Sequence, residues 1–280
     1  MREISVKKIT EAVAEMSVNA NSFLGEDVCE RITECRKKED WPAAAEILSK
    51  IEENIRIARE DLVPLCQDTG MACVFIEIGQ DVHVVGGSIE EAVNEGVRKG
   101  YTEGYLRKSI VKDPIRRGNT GDNTPAHIHY EIVPGDRLKI VLAPKGFGSE
   151  NMSRIKMFAP AAGENGVKDF IVNCVEEAGA NPCPPVVVGV GIGGTFDRAA
   201  LMAKQALLRP MKDSNPDPYY AEMENELLER INSLGIGPQG FGGRTTALAV
   251  KIQTYPTHIA GMPVAVNINC HVSRHREVIL

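Results

Sequence analysis

The sequence predicts an α+β fold, in which an N-terminal helical region precedes mixed or antiparallel sheets with packed helices. Three observations carry this expectation. Apolar residues recur at helical spacing through the first sixty positions. Beyond them, short apolar or alternating runs bounded by Gly, Pro and Asp read as strands. Helices and strands then interleave, but a hairpin signal breaks the regular alternation of a parallel sheet. One domain of residues 1–280 is expected, with a helical part, 1–62, and an α+β part, 63–280. The chain is long enough to bury a sizeable core, and it shows no internal repeat or disordered linker.

Ile4, Val6, Ile9, Val13 and Met16 give MREISVKKITEAVAEM an amphipathic helical pattern. Val28, Ile32 and Cys35 mark a second helix. Trp41 to Asp61 reads as a third, with Pro42 in the first turn, where its missing N–H has no helical partner to lose. MACVFIEIG and DVHVVGG are strand patterns broken by Gly79 and by Gly86–Gly87. SIEEAVNEGVRKGYTEGYLRKS is helical, with Ser88 as N-cap and Glu91 completing a capping box. HIHYEIV and RLKIVLAP are strands joined by Pro134-Gly135-Asp136, the hairpin signal. GVKDFIVNCVEEAGA is a helix ending at Gly179. VVVGVGIGG is a buried strand running into a Gly-rich turn, with the helix DRAALMAKQALL after it. Residues 212–218 form a Pro/Asp/Asn loop, and YYAEMENELLERINSLG is a helix stopped at Gly235. TALAVKIQTYP and MPVAVNINC close the chain as strands.

Composition excludes several classes. At 43% hydrophobic and 25% charged, the chain resembles an ordinary globular protein. No apolar run approaches the ~20 residues of a membrane span. The N-terminus lacks the continuous apolar core of a signal peptide, so a cytoplasmic location is expected. A net charge of −6 without a long basic stripe argues against a nucleic-acid partner. It does not exclude a small anion, because local arginines decide that.

The seven cysteines include no CxxC pair, which argues against a zinc knuckle or a thioredoxin-type pair. Cys29, Cys35, Cys73 and Cys174 lie in apolar patterns and read as small buried hydrophobes. Cys66, Cys183 and Cys270 differ. They stand at element ends, in PLCQDTG, NPCPPVVVGVGIGG and NINCHVSRH. Three thiolates converging on one metal centre would leave a coordination position open for chemistry. Spacing alone leaves both readings standing: metal ligands, or reduced thiols.

Four segments carry a resemblance: PLCQDTGMACVF, APKGFGSENMSRIKMFAPAAG, NPCPPVVVGVGIGGTFDRAALMAKQALLRP and MPVAVNINCHVSRH. They resemble the α subunit of the two-subunit, class I (iron–sulfur) fumarate hydratases, of which the L-tartrate dehydratase α subunit is a close relative. The likeness covers nearly the whole chain and is weakest before about residue 50. It implies a 4Fe-4S cluster held by Cys66, Cys183 and Cys270 in the 63–280 part, with one iron lacking a protein ligand. It implies a hydro-lyase that interconverts fumarate and (S)-malate. Gln67, Arg107, Gly146 and Gly148 would face the substrate, and Asp68 and His258 would be catalytic. Because single-chain relatives continue into a second domain, the resemblance also implies a separate β subunit, α2β2 assembly, and no activity without that partner. An L-tartrate dehydratase α subunit is the alternative, weakly disfavoured because tartrate-type α chains tend to be longer. A non-catalytic metal-binding scaffold protein is the alternative from another class.

Other motifs are weighed beside these. For Asp68 an Asx-type turn competes with a substrate-facing role. The glycines of KGFGSENMS, with Ser149, Asn151 and Ser153, read as a site wall whose backbone N–H groups could meet an anion. GVGIGG lacks the GxGxxG spacing of a dinucleotide loop and reads as close backbone approach beside the cysteine. GFGGRTTA is a second Gly-rich turn near the site. His127, His129 and Glu131 share one strand face, taken as polar surface, and His271, Arg274 and His275 crowd the last cysteine.

Overall fold

The computed structural model describes residues 1–280. In chain order its elements begin with β1 (Arg2–Ser5), α1 (Val6–Ser22), α2 (Glu26–Lys38), α3 (Pro42–Asp61), β2 (Met71–Gly79), β3 (Val82–Val85) and α4 (Ile89–Glu103). There follow β4 (His127–Val133), β5 (Leu138–Lys145), the single turn α5 (Phe147–Glu150), β6 (Arg154–Phe158) and α6 (Gly163–Ala178). Next come β7 (Val186–Gly193), α7 (Phe196–Ala206), α8 (Pro218–Asn232), β8 (Ala247–Tyr255), β9 (Met262–Asn269) and β10 (Arg276–Ile279). Helices with mixed sheets make this an α+β fold, as the sequence predicts. The chain divides into two compact units. The first is Met1–Leu24, Ile55–Phe147 and Arg274–Leu280; the second is Gly25–Asn54 and Gly148–Ser273. Residues 1–62 are mostly helical and are shared between the two.

The first unit is built on a four-stranded sheet of order β10-β5-β2-β4. Here one expectation fails: β4 and β5 are not a hairpin. β2 lies between them, parallel to β4 and antiparallel to β5. The reason is burial. Residues 72–76 of β2 are all buried, so it takes the centre, where both edges are hydrogen-bonded; the more exposed β4 is left at the rim. The Pro134-Gly135 turn instead wraps the end of β2. Gln80 N–H donates to Val133 O and Asp81 N–H to Gly135 O, both at 2.9 Å. A Cβ on Gly79 would clash with Gly135 O, so that crossing demands glycine. α1 and α4 supply the other half of the core, where Ile9, Val13, Val97 and Tyr101 meet Val74, Ile76, Ile140 and Leu142. The first helix also starts later than the sequence pattern indicates. Residues 2–5 pair in parallel with β3, and Ser5 then caps α1 by accepting from Lys8 N–H.

The second unit holds a sheet of order β6-β9-β7-β8, with β7 parallel to β8 and antiparallel to β9. α6 and α8 bury Ile171, Val175, Leu227 and Ile231 against Val188, Val190, Ile252 and Val266. Each such aliphatic side chain contributes about 1.5–3 kcal/mol. α7 lies directly on β7: a Cβ on Gly189 would clash with Ala203 O, and one on Gly191 with Ala199 O. The close approach expected of GVGIGG is therefore real, but its partner is a helix. β6 and β10 escaped the sequence reading. They are short edge strands carrying charges, RIKMF and REVI, a composition that discourages further strand pairing.

Candidate functional site

In the first unit the chain leaves α3 and turns through residues 64–70. Buried carbonyls here need donors, and no sheet or helix supplies them. Side chains do so instead. The Tyr101 hydroxyl donates to Thr69 O (2.7 Å) and lies 3.2 Å from Gly70 O. Asn123 Nδ2 donates to Gly70 O at 3.2 Å, while its Oδ1 accepts from Ser109 N–H at 2.7 Å. Arg274 Nη2 donates to Asp68 O at 2.6 Å. Thr69 Oγ1 reaches Arg107 O at 3.2 Å. Burial, partly countered by the Arg274 charge, raises the Tyr101 phenol far above its usual range, so it remains a donor.

The Asp68 carboxylate fastens the same turn. Oδ1 accepts from Gly70 N–H and Oδ2 from Phe147 N–H, each at 3.0 Å. The Asx turn weighed for this residue is thus present, with a second strap to the 145–147 segment. A Cβ on Gly146 would sit 3.2 Å from Asp68 Oδ2, a tight contact with the carboxylate that holds this strap. The result gathers the 66–70, 107–109 and 145–147 segments. Cys66 is half-buried, with Sγ 3.4 Å from Gln67 Oε1, and Gln67 and Arg107 are exposed.

In the second unit, Cys183 sits exposed between Pro182 and Pro184 at φ 55°. Gln239, from a Gly-rich turn, donates to Pro184 O from its backbone N–H (2.7 Å) and from Nε2 (2.8 Å). His271 Nδ1 lies 3.0 Å from Cys183 O and 3.3 Å from Gln239 Nε2. The carbonyl can only accept, so the tautomer with a proton on Nδ1 is assigned. The β7–β9 register pairs Val187 with Asn269, which brings Cys270, half-buried at the end of β9, to this turn. Gly148 is exposed near Asn181 O, two residues before Cys183.

His258 does not join them. Gly193 pairs with Tyr255 and Thr257 Oγ1 donates to Gly194 O at 2.9 Å, so the 256–261 loop belongs to the C-terminal end of β7. Cys183 precedes the N-terminal end. At ~3.3 Å per residue, the strand separates the two ends by roughly 20 Å. The His258 ring instead accepts from Ala260 N–H at 3.1 Å.

Two further readings are refined. Ser153 Oγ accepts from Asn267 Nδ2 (3.0 Å) and Ile268 N–H (3.2 Å), and Glu150 accepts from Lys204 Nζ (2.6 Å). These groups anchor the loop to β9 and α7 and do not project into open space. His127 and His129 stack edge-on, with His129 flat against Phe75 at 5.1 Å, a packed strand face. The residues missed from the sequence are Tyr101, Asn123 and Gln239, and Arg274 was noted only as a neighbour of Cys270. Local signals exist for two of these: Asn123 is of a residue type that tolerates the positive φ it adopts in GDNTP, and Gln239, also at positive φ, adjoins Gly240.

None of the seven cysteines forms a disulfide. Cys35, Cys73 and Cys174 are buried, and burial raises the Cys174 thiol to about 12 and lifts Cys35 as well. A raised value disfavours the thiolate that a metal needs, so Cys35 and Cys174 are poor candidate ligands.

The family model "Fumarate hydratase (Fumerase)" matches residues 10–279. The "Putative L(+)-tartrate dehydratase subunit alpha" of Methanocaldococcus jannaschii is 43% identical over 272 residues, 95% of each chain. The "L(+)-tartrate dehydratase subunit alpha" of Escherichia coli (strain K12) is 30% identical over 283 residues, 100% of this chain and 93% of that one. The chain therefore belongs to the fumarate hydratase (Fumerase) family.

Proposed function

We propose that this chain is the cluster-bearing α subunit of a two-subunit hydro-lyase that interconverts fumarate and (S)-malate. The observation that supports it most is the gathering of Gln67, Asp68, Arg107 and Gly146 around Cys66 in a member of this family. The donors suit an iron–sulfur group. Cys66, Cys183 and Cys270 are soft ligands on turns, outside the buried cores that hold Cys35, Cys73 and Cys174. These three would hold a 4Fe-4S cluster. When bound, it supplies a Lewis acid for the departing hydroxyl.

The chain's own residues do the rest. Arg107, an exposed guanidinium, pairs with a substrate carboxylate. The Gln67 amide, beside Cys66, offers N–H donors to the same molecule. Asp68 keeps the turn in register with the 145–147 backbone, and Gly146 and Gly148 allow close approach of main-chain N–H groups. The base that takes the C–H proton is assigned to a β subunit, in line with relatives named as α subunits. His258 is left out of the step within one chain, because β7 stands between it and Cys183. No helix is long and apolar enough to cross a membrane, and a cytoplasmic site of action goes with this reading.

The names of the relatives favour a second reading, L-tartrate as substrate. Length does not oppose it, since the archaeal relative and this chain cover 95% of one another. Anaerobic co-expression with the β partner, followed by assays on fumarate, (S)-malate and L-tartrate, tests both. Turnover of fumarate at least about tenfold faster than of tartrate is expected. The reverse preference makes the enzyme a tartrate dehydratase. A loaded complex that turns over none of the three sinks the hydro-lyase reading in favour of a metal-binding scaffold.

A further inference from the structure

We propose that Arg274 is the positioning residue of the Cys66 turn. It pins the backbone that presents Cys66, Gln67 and Asp68, and it stands as a buried cation behind them. This rests on the reading of that turn as the substrate-facing site. Arg274 is 4% exposed. Its Nη2 donates to Asp68 O at 2.6 Å, while Nε and Nη1 have no partner and no carboxylate pairs with it. Burying a guanidinium without an ion pair is unfavourable. The geometry therefore asks why a cation is used at all.

The neighbouring carbonyls sharpen the question. Thr69 O and Gly70 O are served by neutral donors, Tyr101 and Asn123. A neutral amide or phenol would also have given Asp68 O a donor. A cation is favoured where negative charge collects, and this turn carries the Asp68 carboxylate. In the proposed function a thiolate at Cys66 and a dianionic substrate come to the same segment. A charge-assisted bond is also shorter and roughly twice as strong as a neutral one, which suits a turn that must hold its shape. The spare donors give Arg274 no second anchor, so its effect is concentrated on residues 66–70.

The test compares Arg274→Gln and Arg274→Lys in the full-length chain without cluster or substrate, by amide hydrogen exchange. Arg274→Gln should speed exchange across residues 66–70 by about tenfold or more, with β2 and β5 unchanged, and Arg274→Lys should fall between Gln and the parent. Exchange at 66–70 like the parent's in Arg274→Gln, or a Lys variant no better than Gln, overturns the proposal. If Arg274→Gln does not fold, Arg274→Lys decides: faster exchange confined to 66–70 supports pinning, and parental exchange refutes it. In the reconstituted complex, the electron-spin spectrum of the cluster should change in Arg274→Gln and recover in Arg274→Lys. The exchange experiment stands even if no hydro-lyase activity is found, so the two proposals fail separately.

Discussion

The turn around Cys66 hangs from buried polar side chains drawn from distant segments, whereas the turn around Cys183 is braced by flanking prolines, a positive φ and the neighbours Gln239 and His271. The difference follows from solvent. Thr69, Gly70 and Asn123 are buried, so a lost donor leaves an orphaned carbonyl that water does not reach. Cys183 is exposed, so water can replace a lost bond there, but the backbone holds a conformation that L-residues resist. One turn stores its order in hydrogen bonds and the other in strain.

The largest effect is expected on the first turn. Asn123 is 0% exposed, bonds both Gly70 O and Ser109 N–H, and sits at φ 64°. Asn123→Ala strips both bonds and leaves alanine in the left-handed region, a destabilisation of about 3 kcal/mol. Urea titration measures it; a loss below about 1 kcal/mol would mean that water enters the turn. Tyr101→Phe removes only the hydroxyl and should destabilise by about 2 kcal/mol, with the slope against urea unchanged.

The second turn should respond in the opposite direction. Cys183→Gly relieves the positive φ and should stabilise the cluster-free chain by about 1 kcal/mol, while abolishing the brown colour of an anaerobically reconstituted sample. Cys29→Ser should keep that colour. A Cys183→Gly chain that is less stable than the parent would show that strain is not what holds this turn.

Acid gives the smallest and most selective probe. Partial burial works against the Asp122 charge, but bonds from Arg98 and Thr124 outweigh it and hold the carboxyl down to about 2. A depressed folded value means that stability is present above the unfolded range near 4 and is lost as pH falls from there toward 2. Asp122 adjoins Asn123, so acid should loosen the first turn before the second. Asp122→Asn should flatten that part of the urea midpoint against pH, and an unchanged profile would remove Asp122 from the account.

The shape of the Cys66 turn was legible because its signals are local. PLCQDTG advertises a turn through Pro64, Asp68 and Gly70, and the Asx bond is there. The partners were not legible. Nothing near residue 70 announces Tyr101, Asn123 or Arg274, because their bonds span 31 to 206 residues of sequence. The hairpin between β4 and β5 failed for the same reason: turn chemistry at Pro134-Gly135 is blind to a third strand inserting from residue 71. GVGIGG announced close approach but could not name α7 as the partner. His258 matched a motif, yet strand length moved it to the other end of β7.

The discontinuity of the first unit bears on the order in which the protein is made. Its sheet and the Cys66 turn are nearly complete at Phe147, yet Arg274 and β10 belong to residues 274–280. Residues Gly148–Ser273, the larger part of the second unit, intervene, which at ribosomal rates of about 5–20 residues per second is a delay of roughly ten seconds. Through that interval β5 keeps an open edge and the Asp68 carbonyl lacks its cation. A nascent chain therefore carries an unfinished Cys66 turn until the second unit has been translated, which ties maturation of the first cysteine to the emergence of the other two.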